Sequence, residues 1–237
     1  DAGYRAIDAA EHYGNEAEVG EAIQKSGYDR DCLYLSTKIW NTDHGYRKTM
    51  EAYEKSRDRL KTRIDTLLIH WPCPMKGLYQ ETWKALEELY KKGELRAIGV
   101  SNFKMSHIET LREMGGELPM VNQIEMHPFF IDYEMLEYAK RHDIVIEAWS
   151  PLLRYGDVVK NEIICGLSEK YGKSPAQIAL RYLTQFGVRV MVKASSKEHA
   201  VENAEIFDFE LSPGDVELLK KLNTGKRAFQ DPDDYYL

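Results

Sequence analysis

Cysteine is scarce in this chain: three residues in 237 (Cys32, Cys73, Cys165), with no C-x-x-C and no zinc-type spacing. So odd and scattered a set builds no disulfide framework and points to a reducing, cytoplasmic location. No apolar run approaches the roughly 20 residues of a membrane span, and no charged-then-apolar leader opens the sequence. Positive charge is not in excess either, since 32 Lys and Arg face 39 Asp and Glu for a net charge of -7. Nucleic acids and anionic membranes both require a basic face, so neither is an expected partner. Any bound phosphate must be met by a few local cations. Also missing is any G-x-G-x-x-G. What is present, 43% hydrophobic and 30% charged residues, suits a globular protein, and 237 residues suffice for one core with nothing to divide it.

One rhythm recurs: a short apolar run, a polar turn, an amphipathic helix. The apolar runs are YRAIDAA (4–10), LYLSTKIW (33–40), TLLIHW (66–71), RAIGVS (96–101), MVNQIEM (120–126), IVIEAWS (144–150) and VRVMVKAS (188–195). Helical spacing marks EAEVGEAIQKSG, RKTMEAYEKSRDRLK, ETWKALEELYKKGE, HIETLREM, YEMLEYAKRH, SPAQIALRYLTQFG and EHAVENAEIF. Ser174 followed by Pro175 reads as an N-cap with a first-turn proline, and Gly187 as that helix's stop. Ser195 with Glu198 reads as a capping box. Strands buried on both faces and alternating with helices imply a parallel sheet with right-handed crossovers. Seven units are visible, followed by an extra helix, DVELLKKLN (215–223). Eight would close a (β/α)₈ TIM barrel, and the rival is an open doubly wound sheet. Polar residues at nearly every strand's C-terminal end favour the barrel. Because DAGYR reads as a helix end turning into a strand, the expectation is a single domain over 1–237 lacking its first strand-helix unit.

Four polar residues fall at strand ends: Asp8, Tyr13, Lys38 and His70. A lysine and a carboxylate at the tips of buried strands cost several kcal/mol to desolvate unless they pair, so the four are expected to form one cluster. Phenols titrate near pH 10, and a cation within about 4–6 Å lowers such a value by roughly 1–3 units. Asp8 would keep Lys38 charged and aimed at Tyr13. A neutral His70 could donate to a substrate carbonyl. Trp71 reads either as a pocket wall or as plain packing. Cys73 reads as an inert small side chain or a pocket-lining one. Glu125 and His127 share a strand face, but a pair is too few ligands for a metal, and none is expected.

DAGYRAIDAAEHYGNE, LSTKIW, LLIHWP, GVSNF, QIEMHP and EAWSPL, in this order, resemble the aldo-keto reductases, and the resemblance covers essentially the whole chain. It implies a (β/α)₈ barrel that reduces aldehydes and ketones with NAD(P)H. Tyr13 would be the general acid, Lys38 and Asp8 its tuning pair, and His70 the carbonyl-orienting donor beside Trp71. Ser101, Asn102 and Gln123 would hold the nicotinamide carboxamide, although Ser101-Asn102 also fits a helix N-cap. Trp149 would stack on the nicotinamide ring, with Ser150 and Leu152 along the pyrophosphate. Lys193, Ser195, Ser196 and the following helix N-terminus would meet the adenosine phosphate, with Glu202 and Asn203 on adenine.

Departures from the family's pattern accompany the matches. His199 stands where an arginine commonly grips the 2′-phosphate, so NADP(H) is the first expectation and NAD(H) a real alternative. Val192 and Ala194 flank Lys193 in place of proline and serine. Arg154 either reaches a phosphate or faces solvent. The resemblance further implies a monomer acting on small carbonyls. A rival role is a nicotinamide-binding but weakly active barrel that serves as a redox-sensing subunit.

Overall fold

A computed structural model describes residues 2–153, 157–194 and 196–235. Its contacts resolve two compact units, one of Arg5–Asn122 with Gln230–Leu237 and one of Asp1–Tyr4 with Gln123–Phe229.

In the first unit lie β1 (Ala6–Asp8), α1 (Glu16–Lys25), β2 (Tyr34–Ile39), α2 (Tyr46–Leu60), β3 (Thr66–Ile69), α3 (Tyr79–Lys91), β4 (Ala97–Ser101) and α4 (Met105–Glu113). β1, β2, β3 and β4 pair in parallel in chain order, with Asp8 opposite Ser36, Lys38 opposite Leu68 and Ile69 opposite Val100. A doubly wound sheet reverses its strand order. No reversal occurs here, which is why the barrel reading prevails. Leu35, Ile39, Leu67, Leu68 and Ile69 are fully buried, each stabilising the fold by about 1.5–3 kcal/mol. α2 turns Thr49, Ala52, Tyr53, Ser56 and Leu60 inward, the spacing of a single helical face.

α1 and α2 approach each other closely at Gly20, where an added Cβ would sit 2.3 Å from the Leu60 carbonyl oxygen. Two buried carboxylates tie neighbouring elements together. Asp65 accepts from Arg30 (2.6 Å) and from the Leu35 N–H (2.9 Å). Glu16 accepts from Thr37 (2.6 Å), Ser56 (3.1 Å) and Arg59 (2.8 Å).

β5 (Val121–Glu125) begins in the first unit and ends in the second. The second unit continues with α5 (Tyr133–Arg141), β6 (Val145–Trp149), α6 (Glu162–Tyr171), α7 (Pro175–Thr184), β7 (Arg189–Met191), α8 (Lys197–Ala204) and α9 (Pro213–Lys220). β6 and β7 are parallel, with Trp149 opposite Met191. α7 opens on the expected cap: the Ser174 hydroxyl accepts from the Gln177 N–H (3.3 Å), and the Gln177 side chain accepts from the Ser174 N–H (2.9 Å).

Two expectations change. α6 was not read from sequence, although Asn161 caps it by accepting from the Ile163 N–H (3.0 Å) and Gly172 ends it at φ +62°. The cap of α8 is Ser196, not Ser195. An N-cap hydroxyl reaches the N–H two or three residues on, and Ser196 accepts from the His199 N–H at 3.2 Å. Ser195 itself lies outside the described residues, as does Arg154. No described helix is long and apolar enough to cross a membrane.

Candidate active site

The four candidates come together in the first unit. Asp8 ends β1, and Ser36 and Lys38 share a face of β2 alongside it, because alternate residues of a strand point the same way. The Asp8 carboxylate accepts from the Ser36 hydroxyl (2.9 Å) and from Lys38 Nζ (2.6 Å). Lys38 also donates to the Ala9 carbonyl (2.9 Å), and its side chain is fully buried. An ammonium sealed from water is tolerable only with such partners. Its nitrogen lies 5.2 Å from the centre of the Tyr13 ring.

Tyr13 closes a 3₁₀ turn (Glu11–Tyr13) that Gly14 ends at φ +67°, a conformation glycine adopts without strain. The turn is held to the end of β2 by the Glu11 carboxylate, which accepts from the Trp40 N–H (3.3 Å). Tyr13 is 51% exposed, and its phenolic oxygen has no hydrogen-bond partner among the described residues. A substrate oxygen can therefore reach it.

His70 follows β3 directly and meets the Tyr13 ring edge-on, with centres 5.9 Å apart. Its N–H donates to the Ile39 carbonyl (3.1 Å), and its carbonyl accepts from Asn102 Nδ2 (3.0 Å). Burial foremost, then the charge of Lys38 and the neighbouring His12 and His44, push its imidazole down to about 2. The ring is neutral at any working pH, and its Nδ1 is buried without a partner.

Two stacked aromatic pairs surround it. His12 lies flat on Trp40 (3.7 Å between ring centres), and Trp71 lies flat on Tyr235 (4.2 Å). Trp40 meets His70 edge-on at 5.0 Å and Tyr235 at 6.4 Å. The tail that carries Tyr235 is clasped by Lys104, which pairs with Asp231 (2.5 Å) and Asp233 (2.6 Å), and by His107 on Asp233 (3.0 Å). Neither His12 nor the clasp carries a local signal in the sequence. Cys73 is buried with its thiol pushed up to about 11 by burial, so it is inert.

Ser101 ends β4, and Asn102 follows at φ +62°. Their N-cap reading fails, because α4 starts at Met105 with Lys104 in the cap position. The Asn102 amide instead spans to the His70 carbonyl and to Ser101 Oγ (3.1 Å).

Within the second unit, Gln123 donates to Glu147 (3.0 Å). Trp149, half-buried, ends β6 with Phe229 edge-on at 4.8 Å. Ser150 and Leu152 form the turn after it, where the Leu153 N–H donates to the Ser150 carbonyl (2.9 Å). Lys193 is exposed beyond β7 and has no ion-pair partner among the described residues. Near the open N-terminus of α8 lie Ser196 and the exposed His199, with Glu202 and buried Asn203 further along the helix. Glu125 and His127 hydrogen-bond each other at 3.2 Å. An unpaired ammonium beside a helix N-terminus fits a phosphate, and a half-exposed indole fits a nicotinamide face. The residues present therefore suit a nicotinamide dinucleotide.

Parallel strands alternating with helices, with a phenol, a paired lysine and a neutral histidine gathered at or beyond the strand ends, suit an α/β enzyme. Comparison with known proteins agrees. Residues 1–224 match the Aldo/keto reductase family. The glyoxal reductase of Bacillus subtilis (strain 168) is 46% identical over 233 residues, spanning 98% of this chain and 83% of that protein. The methylglyoxal reductase DkgA of Escherichia coli (strain K12) is 38% identical, spanning 98% and 85%. MGS-M4, an aldo-keto reductase from a deep-sea metagenome library of the Medee basin, superposes with a TM-score of 0.94 at 39% identity, covering 99% of this chain and 87% of that one. A variant of Gox0644 in complex with NADPH superposes with a TM-score of 0.94 at 38% identity, covering 99% and 85%.

The chain belongs to the aldo/keto reductase family. Its fold is the α/β TIM barrel of that family, with seven strands among the described residues. It is an NAD(P)H-dependent oxidoreductase that reduces aldehydes and ketones to alcohols. The redox-sensing alternative finds no support among these relatives.

Proposed function

We propose that Tyr13 is the general acid of this reduction, that Lys38 and Asp8 tune it, and that His70 orients the carbonyl. The observation that carries the reading is the exposed phenol without a partner, beside a buried ammonium at 5.2 Å and a neutral imidazole at 5.9 Å. NAD(P)H, when bound, supplies the hydride that adds to the carbonyl carbon. The Tyr13 O–H and a His70 ring N–H donate to the carbonyl oxygen, polarising the bond and stabilising the negative charge that grows on that oxygen. Tyr13 then transfers its proton, the product leaves as the alcohol, and the phenolate charge rests near Lys38 until solvent reprotonates it. The Lys38 ammonium cannot swing away, because the Asp8 carboxylate and Ala9 carbonyl fix it.

Tyr13→Phe is expected to abolish turnover while cofactor affinity stays nearly intact. General acids contribute about 10²–10⁴-fold, so retention of more than about 1% of wild-type activity refutes the assignment.

The cofactor contacts rest on the motifs that carry the resemblance: Ser101 and Asn102, then Gln123, Trp149, Ser150, Leu152, Lys193, Ser195, His199, Glu202 and Asn203. His199 in place of an arginine loses the bidentate fork, so NADH serves as an alternative donor. His199→Arg is expected to raise NADPH affinity and leave NADH affinity unchanged, as read by fluorescence titration. Equal gains for both cofactors would separate His199 from the 2′-phosphate. Substrates are small 2-oxoaldehydes, in keeping with the relatives named for glyoxal and methylglyoxal. The protein works as a monomer in a reducing compartment, where its three free cysteines stay reduced.

A further inference from the structure

The aromatic enclosure around His70 carries one polar ring that the chemistry above does not use. His12 precedes Tyr13 in the 3₁₀ turn, lies flat on Trp40 with 15° between the planes, and meets His70 edge-on at 79° with ring centres 6.2 Å apart. It is exposed, and neither of its ring nitrogens has a hydrogen-bond partner among the described residues. Exposed histidines on a surface are free to turn. This one is not, because the Trp40 indole holds one face and leaves only the ring edge, which bears the N–H and the lone pair. Of the other rings at this place, Trp71 and Tyr235 stack on each other and Trp40 meets Tyr235 edge-on.

We propose that His12 selects the substrate by hydrogen-bonding an oxygen on the carbon next to the reacting carbonyl. The site then favours 2-oxocarbonyl and 2-hydroxycarbonyl compounds over simple aldehydes and ketones. This rests on Tyr13 and His70 holding the reacting oxygen. Hydrogen bonds of about 2.8–3.0 Å allow two imidazoles whose centres are 6.2 Å apart to bridge two oxygens about 3 Å from one another. Oxygens on adjacent carbons have that separation. A simple aldehyde has nothing to offer the second ring, so it displaces water from the His12 edge without replacing the hydrogen bond, which adds to the discrimination. His12 acts on binding and orientation; the proton still comes from Tyr13.

The test compares diacetyl with butanone, which differ by the second oxygen, in the wild type, His12→Phe and His12→Gln. His12→Phe keeps a flat ring on Trp40 without nitrogen, and His12→Gln restores a donor without the ring. The readout is the ratio of kcat/KM for the two substrates, in which the greater reactivity of diacetyl cancels between enzymes. His12→Phe is expected to lower this ratio about 3- to 10-fold, the effect of losing one net hydrogen bond, and His12→Gln to recover most of it. A ratio that stays the same in His12→Phe overturns the proposal, because a residue that merely props Trp40 or the Tyr13 turn moves both substrates together. A ratio that falls in His12→Phe and stays low in His12→Gln also overturns it, because shape and not the donor would then be responsible. Tyr13→Phe keeps the two ideas apart: full activity in that variant removes the acid, whereas an unchanged ratio in His12→Phe with an inactive Tyr13→Phe removes only the substrate selection.

Discussion

Replacing Lys38 by Met removes the one buried cation beside Tyr13 and keeps a side chain of similar length. The ammonium sits 5.2 Å from the phenol ring. Two unit charges about 5 Å apart, at the effective dielectric near 20 that suits such sites, interact by about 3 kcal/mol. Tyr13 gains that charge only as its proton leaves, so the loss falls on the transition state and corresponds to roughly 10²-fold in kcat. The same change takes its charged partner at 2.6 Å from Asp8, whose side chain is 15% exposed, and leaves the Ser36 hydroxyl at 2.9 Å in place. Breaking a buried pair on one side costs about 3–5 kcal/mol, and the partial exposure of Asp8 puts this case near the lower end. Two assays separate the effects: single-turnover reduction of a saturating aldehyde, and urea unfolding of the cofactor-free protein. In the double variant Asp8→Asn with Lys38→Met, no charge is left stranded, so stability recovers by about 1–2 kcal/mol while the reduction rate does not. A Lys38→Met enzyme retaining more than about a tenth of the wild-type rate would mean that the ammonium does not serve the acid, and the electrostatic reasoning would be wrong.

Three further outcomes are expected. His70 and His44 are held neutral, pushed by burial to about 2 and about 4. The unfolded chain therefore binds more protons below pH 6.5, and stability is lost as pH falls: near pH 5 each contributes about 2 kcal/mol of loss relative to pH 8. Replacing His70 with Asn should flatten that slope in urea titrations, and an unchanged slope would contradict its buried neutral state. Gly20→Ala gains helix propensity of about 1 kcal/mol but drives a methyl to 2.3 Å from the Leu60 carbonyl oxygen. Backbone cannot yield cheaply, so a net destabilisation of about 1–3 kcal/mol is expected, and a rise in melting temperature would refute the close approach. Lys104→Met removes the ammonium that clasps Asp231 and Asp233. Exposed pairs are worth about 0.2–1 kcal/mol each, so Tyr235 should leave Trp71 more often and KM should rise severalfold with kcat little changed. High salt should produce the same rise in the wild type and none in the variant.

The strand order, the helix faces and the gathering of Asp8, Tyr13, Lys38 and His70 were legible in the chain itself, because each depends on local pattern. Runs such as LYLSTKIW announce a strand buried on both faces, and an aspartate and a lysine at such strand ends have no low-energy option other than each other. α6 is marked in the sequence only by its caps, Asn161 and Gly172. The N-cap role offered for Ser101-Asn102 was a local inference that a long-range bond to the His70 carbonyl overrode.

Other features were decided by packing between segments distant in sequence. Nothing in EHYGNE says that His12 lies on Trp40, and nothing in DPDDYYL says that Tyr235 lies on Trp71 or that Lys104 fastens the tail. The neutral state of His70 comes from burial and the adjacent ammonium. Periodicity and residue type determine which chemistry a chain can hold. Ring stacking, burial and charge separation arise only when residues tens of positions apart meet, and those quantities set how a substrate is chosen and held.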